Sequence, residues 1–226
     1  MPKSTINITR ITFPEISLNV RDAHKLRGYF GNLFAEHAPI LSNHFDDGKL
    51  RYKYPEVQYK VIERVPTLIG IGEGGNLMIE LFMKINQLVI NGQTFEVYNK
   101  NIARQTYTIG IDEDLHRYRF ETLWMALNQD NYPKYINAES ENEQKALLKN
   151  NLISHILAFY KGIGLFLEPH ERIMAQIKVS ERETQFKSKS MLAFAGEFTT
   201  NALLPDGIGI GKSPSRGFGT IKKIDS

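Results

Sequence analysis

Between positions 29 and 53 the chain gathers Tyr29, His37, His44, Lys49, Arg51, Tyr52 and Lys53, a mixture that no other stretch of the sequence holds. Histidine exchanges a proton near neutral pH, and lysine or arginine stabilises charge that develops on an anion. The group is therefore equipped for general acid–base chemistry on an anionic substrate. His44 stands in "SNHFDDG", after the Pro39 break and inside turn chemistry, where a side chain is exposed and held by a scaffold. By residue type alone it reads as a solvated loop histidine. His37 follows Leu26, Phe30 and Leu33 at helical spacing, which makes it either a satisfied core histidine near a helix end or a second catalytic group. Tyr29 precedes His44 by fifteen residues. It is an amphipathic aromatic at a core edge, or a group that orients a substrate.

Other candidate chemistry is thinner. His155 falls on a core stripe, and His24, His116 and His170 read as surface residues. Asp46 and Asp47 stand beside Gly48 in a turn, and Asp112 to Asp114 reads as a cap. Neither supplies the dispersed carboxylates of a metal site, so no metal and no cofactor are expected. "KLRYKYPEVQYK" alternates Lys49, Arg51 and Lys53 with Leu50, Tyr52 and Tyr54. As a strand it presents one basic face, suited to phosphate contact through Lys49 or Lys53.

A second concentration lies near the end, in "GIGIGKSPSRGFG" from Gly207 to Gly219. The "GKS" within it is not a nucleotide-binding P-loop. The first glycine of that motif would stand at Asp206, and "TIKKI", which alternates like a strand, follows where a helix is required. What remains is a loop with Gly207, Gly209, Gly211, Gly217 and Gly219, plus Lys212 and Arg216. Glycines let a backbone approach a bulky anionic ligand closely, and the two cations suit a nucleic-acid backbone. "RETQFKSKS" brings Lys187 and Lys189 into a hairpin that either enters an RNA groove or is a solvated turn.

These groups must be carried on a folded scaffold. At 226 residues, 42% hydrophobic and 23% charged, the chain buries a sizeable core as one large domain or two small ones. Its net charge is only +3, so basic patches are local. Cysteine is absent, which removes disulfides and thiolate metal sites. A polar N-terminus and the lack of a membrane-length apolar run predict neither signal peptide nor membrane helix, hence a cytoplasmic protein.

The elements read as β, α, β, β, α, β in the first half. "TINITRITF" is a strand, "RDAHKLRGYFGNLFAEHA" a helix capped by Asp22, and "TLIGI" a strand. "GEGG" then turns the chain into the helix "NLMIELFMKINQ", and "LVINGQTFEVY" forms strands around an Asn91-Gly92 turn. The second half repeats the order: "RQTYTIGI", a short helix in "FETLWMALNQ", a long helix opening on the capping box Ser140 and Glu143, then strands in "RIMAQIKV", "ETQFKSKSMLAFAGEFTTN" and "GTIKKI". This predicts an α+β protein of two tandem ferredoxin-like, RRM-like domains. They span 1–98 and 99–226, and the second carries the glycine-rich loop 207–219.

The glycine-rich "GIGIGKSPSRGFG" before the last strand resembles the hallmark loop of the RAMP superfamily of CRISPR-associated RNA-binding proteins. With "RDAHKLRGYFGNLF", "DDGKLRYKYPEVQYKVI" and "FTTNALLPDGIGIGKSPSRGFG", essentially the whole chain is similar to the repeat-processing endoribonucleases of CRISPR systems, the b-type branch of the sixth CRISPR-associated family. That resemblance implies metal-independent cleavage of precursor CRISPR RNA within its repeats, leaving a cyclic phosphate. It puts the catalytic histidine just after the first long helix, which favours His44, with His37, Tyr29 and Lys53 beside it. Partners implied are the repeat RNA, other Cas proteins of an effector complex, and a second copy of the chain. The alternative within the superfamily is a non-catalytic guide-RNA-binding subunit.

Overall fold

The alternation in "TINITRITF" produces β1 (Ser4–Thr12), after which the chain turns through a short 3-10 segment into α1 (Ala23–Leu33). The computed structural model describes residues 3–41, 54–186 and 189–224. It divides into an N-terminal unit, Thr5–Tyr107 with Ser215–Gly217, and a C-terminal unit, Met1–Ser4, Thr108–Pro214 and Phe218–Ser226.

In the N-terminal unit α1 is followed by α2 (Ala38–Leu41), β2 (Val57–Ile62), β3 (Val65–Ile71), α3 (Glu73–Phe82), β4 (Gln87–Ile90), β5 (Gln93–Glu96) and the start of β6 (Asn101–Phe120). The strand order is β2-β3-β1-β6, so the first strand sits between the third and the last, as in a ferredoxin-like fold. β3 pairs antiparallel with both β1 and β2. Leu26 and Phe30 of α1 and Phe82 of α3 are fully buried on this sheet. Phe30 meets Phe82 edge-on at 4.5 Å and stacks on Tyr59 at 5.7 Å. Burying one such ring contributes roughly 2–3 kcal/mol.

Two expectations change here. The strands around Asn91-Gly92 do not close the sheet; β4 and β5 form a separate two-stranded hairpin. Its turn has φ of 58° at Asn91 and 75° at Gly92, the left-handed pair that a two-residue hairpin requires. The place beside β1 belongs to β6, a strand of 20 residues running on into the C-terminal unit. Nor does the stripe of α1 reach His37. Phe34, at the helix end, turns its ring onto Phe82 at 5.6 Å, which leaves Leu33 47% exposed and carries His37 into a 3-10 turn, Ala35–His37.

The C-terminal unit takes the rest of β6, then α4 (Asn131–Ile136), α5 (Glu141–Gly162), β7 (Ala175–Phe186), β8 (Lys189–Leu203) and β9 (Ile221–Ile224). β6 lies between β8 and β9, and β8 pairs with β7. This is the ferredoxin-like order again, with the glycine-rich loop in place of the second helix. α5 begins as the sequence predicts: Ser140 Oγ accepts from the Glu143 amide at 3.3 Å, and the Glu143 carboxylate accepts from the Glu139 amide at 2.9 Å. Leu148, Leu152, Ile156 and Phe159 are its buried stripe.

The helix expected in "FETLWMALNQ" is absent. Trp124 and Phe194 exchange both backbone hydrogen bonds, at 2.8 and 2.9 Å, and the Trp124 ring stacks on Phe120 at 5.1 Å. Pairing and aromatic packing across the fold outweigh the local helical spacing. Asp112 to Asp114 is not a cap either. It lies inside β6, where the register against β8 shifts between Ile111 and His116, as at a β-bulge. Asp112 there accepts from Lys3 Nζ and bonds His116 Nε2, both at 2.9 Å. These partners hold its carboxyl down at about 2. His116 is accordingly only 14% exposed at its side chain and is not the surface histidine expected.

Candidate functional site

Tyr29 projects from α1 and donates its hydroxyl to the Gln87 carbonyl at 3.2 Å, so β4 fixes the direction of the phenol. Partial burial raises its pKa, which keeps the hydroxyl a donor. His37 follows in the 3-10 turn. Its amide bonds the Phe34 carbonyl at 3.0 Å, its Nε2 stands 3.9 Å from a Glu36 carboxylate oxygen, and its side chain is 36% exposed. His44, Lys49, Arg51, Lys53 and Lys187 lie outside the described residues, and of Lys189 only the backbone at the start of β8 is described.

The glycine-rich loop is held mainly by its own amides. The Gly207 amide donates to Ile221 and the Ile210 amide to Gly219, while those of Gly219 and Lys212 reach Leu123 and Met125, at 2.8 to 3.1 Å. Gly209 pairs with Thr220 in an isolated bridge. Gly211 has φ of 108°, and a Cβ there would stand 2.7 Å from the Trp124 indole. The chain can pass Trp124 this closely, in this conformation, only as glycine. What these glycines visibly supply is close packing, which sets the cationic side chains Lys212 and Arg216 at defined places.

Arg216 belongs to the N-terminal unit through Ser215–Gly217. A Cβ on Gly217 would lie 2.6 Å from the Ala23 methyl at the start of α1. One turn further along α1 is Arg27, a residue that sequence spacing did not single out because it sits off the apolar stripe. Burial lowers the pKa of Arg27, and the charge of Arg216 lowers it further; burial does the same to Arg216. Two guanidinium groups within electrostatic reach of each other favour an anion between or beside them.

In the C-terminal unit Lys212 stands near His155, whose ring packs edge-on against Trp124 at 5.9 Å. Burial, and then the Lys212 charge, push the histidine down to about 4. It is thus the neutral core histidine that its stripe predicted. His155 Nδ1 and Trp124 Nε1 are both buried without a hydrogen-bond partner among the described residues. Beside Lys212 and Ser213 opens a cleft of about 700 Å³ that Met125, Tyr132, Glu183 and Leu192 help to line. No motif in the sequence marks it, because its walls come from four separate segments.

Family models match both halves: the Cas6b N-terminal domain over residues 4–108 and the Cas6b C-terminal domain over 110–224. The chain belongs to the Cas6b family. A solved structure titled as Cas6b shares 36% identity over 98% of this chain and 100% of its own, with a TM-score of 0.92. Another, described as the CRISPR RNA processing endoribonuclease Cas6b, shares 33% identity over 98% and 100%, with a TM-score of 0.80. An uncharacterized protein of Methanocaldococcus jannaschii is 29% identical over 149 residues, which is 66% of this chain and 99% of its own length. The family is the branch that the glycine-rich loop and N-terminal segments resembled, and both domains of its members are present in tandem.

Proposed function

We propose that this chain is an endoribonuclease that cleaves precursor CRISPR RNA within its repeats. The observation that carries the reading is the match to the described CRISPR RNA processing endoribonuclease along 98% of the chain at 33% identity. RNA brings its own nucleophile, the 2′-hydroxyl next to the scissile phosphate, so proximity supplies much of the acceleration and no metal-bound water is required. The 2′-oxygen attacks phosphorus, the bond to the 5′-oxygen breaks, and the products carry a 2′,3′-cyclic phosphate and a 5′-hydroxyl. One group removes the 2′ proton and another protonates the leaving oxygen. His44 and His37 take these roles, Tyr29 orients the substrate, and Lys53 stabilises the phosphorane.

Arg216, Arg27, Lys212, Lys49 and Arg51, with Lys187 and Lys189, hold the phosphate backbone. The fixed phenol of Tyr29 on α1 and the half-buried imidazole of His37 in the turn after it support that assignment. A homodimer, and assembly with other Cas proteins, belong to the same reading. Exposed Leu33 and Met83, at 47% and 55%, supply apolar surface for such contacts.

The test is incubation of the chain with repeat RNA in EDTA, beside a substrate carrying a 2′-deoxy sugar at the cut position. Cleavage that survives EDTA, disappears with the deoxy sugar, and falls at least a hundredfold in the His37→Ala/His44→Ala double variant is the expected result. Tight binding without a cut would make the chain a guide-RNA-binding subunit instead.

A further inference from the structure

We infer that the cleft beside Lys212 is a nucleobase pocket, and that its occupant is an unpaired guanine of the bound RNA; this rests on the RNA-processing reading above. The first argument is the face of β7. Ile177, Val179, Glu181 and Glu183 share one face by the two-residue period of a strand. Their partners on β8 are Phe198, Gly196, Phe194 and Leu192. The face thus changes from aliphatic to acidic at Glu181, still opposite apolar side chains. Tyr135 donates its hydroxyl to Glu181 at 2.7 Å, which fixes that carboxylate, while Glu183 is exposed in the cleft wall. Ionised carboxylates only accept hydrogen bonds, so this wall asks for a ligand that donates.

The rest of the lining narrows the ligand. Met125 and Leu127 give an apolar wall, and Tyr132 and Ile136 of α4 are 48% and 52% exposed at its side. A flat ring fits such a surface, and stacking on a tyrosine is the usual way an unstacked base is held. Lys212, on the glycine-rich loop, places a cation in the same cleft. A flat ring with a donating edge and an attached phosphate matches an aromatic platform, a carboxylate and an ammonium together. Glu181 and Glu183 repel the phosphodiester backbone, so the base enters and the phosphate stays at Lys212. The Lys212 charge disfavours a basic peptide in the same place. Guanine alone among the four RNA bases carries two adjacent donors, N1–H and the N2 amino group, on one edge, and these match the two oxygens of a single carboxylate. The volume of about 700 Å³ is within the range of small-ligand sites.

The chain contains one tryptophan, and it reports on this cleft. Trp124 backs Gly211, its indole Nε1 is buried, and the next residue, Met125, lines the cleft and accepts from the Lys212 amide at 3.1 Å. Its indole N–H resonance can be followed in the full chain while guanosine, adenosine, cytidine and uridine monophosphates are titrated separately. We expect a saturable shift with guanosine monophosphate at concentrations roughly tenfold or more below those needed for the other three. Glu183→Gln should abolish that preference, and Tyr132→Ala should weaken binding roughly tenfold or more.

An equal response to all four nucleotides overturns the proposal, as does a guanosine response that both variants leave unchanged. A lysine-rich peptide that shifts the resonance where guanosine monophosphate does not would assign the cleft to a protein partner. In repeat RNA, replacing a guanosine by inosine removes the N2 amino group; at the bound position it should weaken the wild-type chain and leave Glu183→Gln unaffected. The mononucleotide titration needs no cleavage, so its failure overturns the pocket alone, and lack of cleavage in EDTA overturns the nuclease reading alone.

Discussion

At the residue scale the glycine-rich loop answers a question of packing before one of binding. Gly211 combines a φ of 108° with an approach that would put a Cβ 2.7 Å from the Trp124 ring. Gly211→Ala should destabilise the chain by roughly 2 kcal/mol or more, read as a shift of the urea midpoint. His155 makes a prediction of opposite character. Its folded pKa of about 4 lies below the ordinary 6.5, through burial and then the charge of Lys212. The unfolded chain therefore binds the proton first as pH falls. The contribution of neutral His155 is complete above about 6.5, is lost between there and about 4, and amounts to something of order 3 kcal/mol. Melting temperatures of wild type and His155→Gln should converge as the pH is lowered through this window, and parallel curves would refute the assignment.

At the element scale, local signals succeed where the chain's own neighbours settle the conformation. Ser140 caps α5 because a side-chain oxygen three residues from an unsatisfied amide needs nothing distant. Ser140→Ala should cost about 1 kcal/mol with unchanged denaturant dependence of the unfolding free energy, measurable by circular dichroism. Asn91-Gly92 made its turn for the same reason. Periodicity misled where a partner far in sequence competes: "FETLWMALNQ" has helical spacing, yet Trp124 pairs with Phe194 and stacks on Phe120. The stripe of α1 stopped short of His37 because Phe34 found Phe82. In β6 the register shift between Ile111 and His116 gave the acidic run expected as a cap a place inside a strand.

For the whole molecule, net charge of +3 leaves RNA affinity to local cations, and these are countable. Arg27→Ala and Arg216→Ala should each lower the slope of log affinity against log salt by about 1, with little change in preference among repeat sequences. Electrophoretic mobility at several salt concentrations checks this. An unchanged slope in both variants would remove the arginine pair from the RNA contact surface.

The sequence by itself determined the ferredoxin-like class, the capped start of α5, the Asn91-Gly92 hairpin turn and, through the glycine-rich loop, the family. These depend on short spacings that survive without knowledge of the fold. Tertiary structure alone decided that β6 supplies the strand beside β1, that Arg27 stands with Arg216, that His116 binds Asp112, and that α4, β7, β8 and Lys212 enclose a cleft. The first, second and fourth of these join residues far apart in the chain, and proximity in space has no signature in local periodicity or composition; His116 and Asp112 are four residues apart, and they meet where the register of β6 against β8 shifts between Ile111 and His116.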